Sequence, residues 1–554
     1  MRVPLTVLLP MTLLPVAVQP SGDLPPPGRS PVYARRGAIA TSQPLASAAG
    51  LQVLLEGGNA IDAAVAAVAV LSVVEPTMTG IGGDLFAIVY DAKTKRLYGL
   101  NASGRAPRRA TPEEFARRGL TRVPERGPLG VTVPGAVDGW ARLLERFGTI
   151  ALARAVAPAI AYARDGFAVS PIIAEQWQGQ ADVLAKDAAA AETFLPGGRA
   201  PAAGEVFANP RLARTLELIA RDGPDAFYRG PIARAIADDL ARRGGLLDAE
   251  DLAAHRSDWV DPISTTYRGY EVFELPPNTQ GATALEMLNI LEGYDLRALG
   301  HNSAAYLHLL VEAKRIAFAD RDAYLADSAA VPEPLLRRLV SKDYAAERRR
   351  EIDPARARPS YAPARAPSEA AGAGDTVYLT AADGTGNVVS LIQSIYSEFG
   401  AGIVAGDTGI VLQNRGSMFR LAAGHPNRIA PGKRPLHTLV PAMVLKDGRP
   451  WLSFGVMGGD MQPQGHVQIL ANLIDFGMDI QRAAEAPRVR HFESGVAVEP
   501  GISPDVRREL ERLGHKVIVR RGAHGGFQGI LIDPRTGVLI AGSDPRKDGM
   551  AAGY

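Results

Sequence analysis

The chain has 554 residues, 46% of them hydrophobic and 22% charged, the balance of a globular protein large enough for several cores. Its 61 basic and 59 acidic residues leave a net charge of +2, so no whole-protein field points to nucleic acid or to an acidic membrane. With no cysteine, disulfides, thiolate metal sites and cysteine nucleophiles are excluded together.

Arg2 precedes an apolar run over residues 3–18, and polar residues follow it. That order resembles a secretory signal, although Pro4, Pro10 and Pro15 interrupt the run. The expectation is a periplasmic or secreted protein, with a cytoplasmic one as the alternative. The run is too short for a stable membrane span, and no other stretch offers about 18 uninterrupted apolar residues. Residues 24–36 read as a linker, so 1–36 precede a folded sequence that begins near Gly37.

Residues 59–74 are Ala-rich and apolar on nearly every side, which predicts a buried helix with Asn59 at its N-cap. A glycine-rich loop over 77–84 leads into strands at 85–90 and 97–101. From 135 to 295 the spacing is mainly helical, at 136–147, 151–164, 210–220, 231–243 and 281–291, interrupted by a strand pair at 267–270 and 272–275. A long helix is expected over 303–325. Residues 353–374 then lose all apolar periodicity and read as a mobile linker rich in Pro, Ala, Arg and Ser.

Beyond the linker the pattern is mostly β. Strands are expected at 376–381 and 388–395 around the turn 383–387, with further hairpins at 442–446/451–456 and 527–532/538–541. Helices are expected at 464–475 and 504–513. A helix-rich first part followed by antiparallel sheet makes the fold class α+β.

The chain has no G-x-S-x-G elbow, no phosphate-binding G-x-x-x-x-G-K-[ST] and no H-E-x-x-H. Its nine histidines are scattered, and none is expected to pair with an acid at metal-ligand spacing. Residues 400–405 resemble a dinucleotide fingerprint, but Gly406-Asp407-Thr408-Gly409 stands where a helix should open, so they read as turns. No cofactor or metal is expected. What remains is Asp375-Thr376, where loop becomes strand. A hydroxyl is a poor nucleophile without a base. If the chain is cut before Thr376, the new α-amine, with a pKa of roughly 7.7–8.0, serves as that base. For an isolated Asp-Thr the commoner meaning is a loop entering an edge strand, and the residues alone leave both readings open.

A set of ordered segments resembles one family. They are Gly57-Gly58-Asn59-Ala60-Ile61-Asp62, Gly80-Ile81-Gly82-Gly83, Ala163-Arg164-Asp165-Gly166-Phe167, Ala319-Asp320-Arg321, Lys433-Arg434-Pro435-Leu436, Gly458-Gly459 and Ser543-Asp544-Pro545-Arg546. Over residues 37–554 they are similar to the γ-glutamyltranspeptidase (glutathione hydrolase) family of N-terminal nucleophile hydrolases. The resemblance implies a four-layer αββα sandwich formed jointly by both fragments of a self-cleaved chain. Residues 37–375, ending in the linker 353–375, would be the large fragment, and 376–554 the small one, the two associating as a heterodimer. It implies autocleavage between Asp375 and Thr376, Thr376 as nucleophile, Ser394 as a hydroxyl beside it, and Gly458 and Gly459 as the oxyanion-hole glycines. The substrate-binding candidates are Arg105, Arg415, His437 and Thr438.

The same resemblance exposes departures. Ser103 stands where the family has a carboxylate-binding Arg, Met418 where it has an amine-binding acid, His437-Thr438 where it has Ser-Ser, and Tyr396 where it often has Asn. The implied reaction is cleavage of a γ-glutamyl amide, as in glutathione, with transfer of the acyl group to water or an amine. The alternative keeps fold and nucleophile but takes another carboxylate-bearing amide, glutaryl (cephalosporin-acylase-like) or oxamate-like. A non-catalytic binding protein is the third reading. The expected partners are a small-molecule amide and water or an amine acceptor.

Overall fold

Alternation of side chains along strands builds the centre of the molecule. The computed structural model describes residues 28–363 and 375–554. The signal-like run, and the linker from residue 364 onward, lie outside the described residues. Along Asp84–Asp91, Phe86, Ile88 and Tyr90 face one way and Leu85, Ala87 and Val89 the other, and both sets are buried. A strand buried on both faces must lie between two apolar layers, and this one does.

Two seven-stranded, wholly antiparallel sheets stack face to face. Sheet I runs, edge to edge, Met550–Gly553, Gly37–Thr41, Asp375–Asp383, Val388–Tyr396, Asp84–Asp91, Arg96–Ala102 and Asp258–Val260. Sheet II runs Val32–Ala34, Leu539–Ser543, Phe527–Ile532, Arg449–Val456, Ala442–Lys446, Tyr270–Glu274 and Ile263–Tyr267. Tyr378, Ala382, Val388 and Ile392 of sheet I meet Met443, Leu445, Ile530 and Ala541 of sheet II. The hydroxyls of Thr380 and Ser453 bond across the same interface at 2.7 Å. Helices cover both outer faces. Ala60–Val74, with every residue buried, packs on sheet I, while Gly281–Leu291, Ala304–Tyr324 and Met461–Leu470 pack on sheet II.

The expected N-cap at Asn59 is present as a full capping box. Its side chain accepts from the Ile61 and Asp62 amides while Asp62 accepts from the Asn59 amide. Elsewhere the structure differs from expectation. Val32–Ala34, inside the stretch read as linker, is an edge strand paired with Leu539–Ser543. The strand pair near 270 turns at Arg268 and Gly269, both at positive φ (51° and 79°), so its arms are Ile263–Tyr267 and Tyr270–Glu274. The early part of the expected mobile linker is held in place: Ala357 N bonds Leu513 O, and the buried Tyr361 donates its hydroxyl to Glu312 at 2.6 Å. Proline-rich composition hid these contacts because they reach helices far away in the chain. A small mixed sheet of Val489–Phe492, Gly495–Val498 and Val517–Val519 was also not expected. No helix among the described residues is long and apolar enough to cross a membrane.

Replacing Asn59 by Ala removes the cap from a helix that supports sheet I. The expected loss is about 1–2 kcal/mol, read as a lower denaturant midpoint with the same far-UV dichroism.

Candidate active site

Thr376 heads the strand Asp375–Asp383, which sits inside sheet I with neighbours on both sides. The register shifts between Asp375, opposite Tyr396, and Val377, opposite Gln393. Val377, Leu379 and Ala381 point to the helical layer, while Tyr378 and Ala382 point to sheet II. The same alternation carries Thr376 toward sheet II, where Gln462 donates Nε2–H to its Oγ1 at 3.4 Å. Gln462 is itself held by the Val440 amide, which donates to its Oε1 at 2.9 Å. Thr376 is fully buried.

Ser394 lies on the neighbouring strand and is also buried. Its Oγ accepts from the Tyr396 amide at 2.7 Å and from Arg415 Nη2 at 3.4 Å. The glycine loop before Asp84 packs directly behind it: a Cβ on Gly83 would stand 2.3 Å from the Ser394 carbonyl oxygen. That close approach explains the glycine better than any phosphate site.

Gly458 and Gly459 connect the strand Arg449–Val456 to the helix Met461–Leu470, at φ values of 113° and 61° that favour glycine. Their carbonyls accept from the Met461 and Gln462 amides. Among the described residues their own N–H groups have no hydrogen-bond acceptor. Gln280 ties the loop down, donating Nε2–H to both Gly459 O and Thr438 O.

Arg415 joins these pieces. Its guanidinium is fully buried, donates Nη1–H to Thr438 Oγ1 at 2.9 Å and lies 4.3 Å from the Tyr396 ring centroid. Its Nε has no partner, and among the described residues no carboxylate lies within 4.0 Å of it. Burial lowers its pKa to about 10, against the upward pull of Tyr396, Asp84 and Asp460.

His437 is placed beside this group, but its ring is used internally. Nδ1 accepts from the Leu439 amide at 3.3 Å, which leaves the proton on Nε2, 3.1 Å from Asp84 Oδ2. Burial, then Arg415 and Arg434, push the His437 pKa well below its ordinary value, so the ring is neutral. Asp84 also accepts from the Gly104 and Gly135 amides and from Gln413. Burial raises its pKa to about 6 despite Arg415 and these donors.

Arg105 is not brought to the cluster. It is partly exposed and pairs with Asp258 at 3.3 Å and with Gly432 O. Asp258 is shared with Arg434, which also bonds Ser103 O. Ser103 itself is committed to Asn101 and Asn278, and Met418 lies in an apolar cluster with Tyr396 and Leu436.

Sequence reasoning overlooked Gln462, Gln280, Asp84 and the Arg321–Asp460 pair. Asp84 closing the glycine loop, and Gln462 three residues beyond Gly459, were the available signals. It also misjudged the histidines. His308, Glu312 and His515 bring one potential ligand atom each within 4.8 Å of one another. His308 and Glu312 share a helix face, and helix Pro504–Arg512 delivers His515. These groups are engaged by protein: His308 bonds His515 and Asp353 O, and Glu312 holds Arg315, Tyr361 and the Arg358 amide.

Comparison with known proteins places this arrangement. The family profile described as Gamma-glutamyltranspeptidase matches residues 46–554. The glutathione hydrolase-like YwrD proenzyme of Bacillus subtilis (strain 168) is 42% identical over 521 residues, spanning 92% of this chain and 97% of that protein. The acylase ACY 1 proenzyme of Pseudomonas sp. (strain SE83) is 40% identical over 531 residues, 94% of each chain. The crystal structure of cephalosporin acylase from Bacillus halodurans superposes with a TM-score of 0.90 at 43% identity, covering 97% of this chain and 99% of that one. Fold and relatives together define an enzyme of the N-terminal nucleophile hydrolase class. The chain belongs to the γ-glutamyltranspeptidase family.

Gln462→Leu removes the donor to Thr376 Oγ1 and strands the buried Val440 amide. The expected cost is about 1–3 kcal/mol of stability, read from denaturant midpoints. The same variant is expected to slow turnover.

Proposed function

We propose that the chain is a self-processing amidohydrolase whose nucleophile is Thr376 and whose donor is an amide with a carboxylate on its acyl group. The observation that carries this reading is the buried Thr376, whose Oγ1 accepts from Gln462 three residues beyond Gly459, on the strand beside Ser394, whose Oγ accepts from the buried Arg415.

In maturation, Thr376 Oγ attacks the Asp375 carbonyl carbon. The Asp375–Thr376 amide becomes an ester with a free Thr376 amine, and water opens the ester to leave Asp375 as a carboxylate. Both sheets draw strands from before and after this bond. The two fragments, ending at Asp375 and beginning at Thr376, therefore stay joined as one αββα sandwich. In turnover the α-amine takes the Thr376 hydroxyl proton as Oγ attacks the substrate amide. Gly458 and Gly459 N–H groups receive the developing oxyanion, donors whose individual loss costs about 10²–10³ in rate. The amine leaves with the proton, and water or a second amine releases the acyl group from Thr376. Ser394, bonded to Arg415, holds the ground around the nucleophile.

For the acyl group, Arg415 and Thr438 supply the positive and hydroxyl contacts, and His437 acts indirectly by fixing Asp84 near Arg415. Arg105 is taken up by Asp258 and Gly432 O and has no part in this contact set. The apolar surroundings of Met418 offer no counter-charge to an α-ammonium group. That favours a glutaryl-like acyl group over a γ-glutamyl one. The γ-glutamyl reading keeps its place because the YwrD proenzyme is named glutathione hydrolase-like.

A matched panel tests this. Hydrolysis of glutaryl, γ-glutamyl and oxamate-type amides is compared for the wild type and Thr376→Ala. The wild type should prefer the glutaryl compound by tenfold or more in kcat/KM, and Thr376→Ala should be inert on all. A γ-glutamyl preference would return the assignment to glutathione-type donors. Turnover by Thr376→Ala would remove the nucleophile. Wild-type activity should rise with pH through about 7–8 as the α-amine loses its proton.

A further inference from the structure

A second buried cation without a carboxylate partner lies near the Gly458–Gly459 loop, in a cavity that Asp460 also lines. Lys314, on the helix Ala304–Tyr324, is buried beside a cavity of about 390 Å³ whose walls include Arg321, Asp460, Arg490, His491 and Phe492. Its ammonium makes one hydrogen bond, to His491 Nδ1 at 3.2 Å, and sits 4.0 Å from the Phe318 ring centroid. Among the described residues no carboxylate lies within 4.0 Å of it. Two neighbouring cations are already paired. Arg321 pairs with Asp322 and Asp460, and Arg315 with Glu312. Glu493, also on the wall, is exposed at the rim. Burial, then repulsion from Arg321, lowers the Lys314 pKa to about 7, and His491 is held neutral by burial. An anion entering the cavity would restore the full charge on Lys314 and offer acceptors to its two remaining N–H groups.

This cavity adjoins the reaction centre. Arg490 and Phe492 line it and also a second cavity of about 550 Å³, whose walls include Gly458, Ser397 and Glu398. The wall of the first is tied to the glycine loop: Asp460 follows Gly459, and Arg321 donates to Asp460 and, at 2.8 Å, to Gln280, which holds Gly459 O. Arg415 is fully buried and lines neither cavity, whereas the second cavity opens beside Gly458. An amine leaves, and an acceptor arrives, by an open flank.

We propose that Lys314, supported by Arg490 and Arg321, is an anion subsite for a carboxylate carried by the leaving amine and by amine acceptors, as in an amino acid or dipeptide. The assignment rests on Thr376 being the nucleophile. It predicts selectivity between donors with the same acyl group, one releasing a carboxylate-bearing amine and one releasing uncharged p-nitroaniline.

Lys314→Met should raise the ratio of the two KM values, charged over uncharged, about tenfold, and Lys314→Arg should restore most of it. An unchanged ratio, including an equal rise in both KM values, would overturn the subsite. Calorimetric titration with glycylglycine separates this from failure of the nucleophile assignment, since it needs no turnover. The wild type should bind the dipeptide and Lys314→Met about tenfold more weakly, with thermal unfolding confirming that the variant is folded. Equal affinity, or no binding to the wild type, would overturn the proposal even if Thr376 were the nucleophile. Retained Lys314-dependent binding in a protein that hydrolyses no amide would sustain the subsite while the nucleophile assignment fell.

Discussion

The position of one strand constrains the whole molecule. Asp375–Asp383 is hydrogen-bonded on one side to Gly37–Thr41 and on the other to Val388–Tyr396. One neighbour lies far upstream of Thr376 and the other just beyond it. Register decides which side chains face sheet II, and a slip of one residue would turn Thr376 into the helical layer. Extensive pairing after the first residues therefore holds the start of the strand in place. That is the condition for a residue to be both a chain break and a precisely aimed nucleophile.

Around that point the structure concentrates charge that it does not neutralise by pairing. Burying an arginine or a lysine without a carboxylate costs several kcal/mol unless hydrogen bonds or a ligand repay it. Arg415 is partly compensated by Thr438, Ser394 and the Tyr396 ring. Lys314 is partly compensated by His491 and the Phe318 ring. Each is a destabilising arrangement in isolation. Under the proposed reading each is offered to a carboxylate of the substrate, Arg415 to one on the acyl group and Lys314 to one on the amine. The internal pair Asp84–His437 has a different role: it is saturated with hydrogen bonds and makes that wall rigid.

Much of the scaffold was legible because it is written locally. The Asn59 cap, the fully apolar helix after it, the hairpins beyond Thr376 and the change from linker to strand all follow from contacts within a few residues. The edge strand Val32–Ala34 and the anchoring of Tyr361 were not legible, since short segments in proline-rich sequence acquire structure from distant partners. In the site, Thr376 and the paired glycines entered as candidates through the family resemblance, since the residues alone read equally as a strand start and a turn. The partners of Arg415, the Asp84–His437 contact and the isolation of Lys314 arise only when segments far apart in the chain are folded together. Arg105 shows the converse: nearness to Ser103 in sequence suggested a binding role, yet Asp258 claims its guanidinium.

The central claim is that the chain breaks before Thr376 by its own chemistry. Intact-mass analysis of freshly purified wild-type protein and of Thr376→Ala, under denaturing conditions, tests it most directly. The account predicts two wild-type masses, the smaller that of residues 376–554 with a free threonine amine, and a single uncut mass for the variant. A wild-type chain that stays whole, a small fragment beginning elsewhere, or a variant cut at the same bond would contradict it.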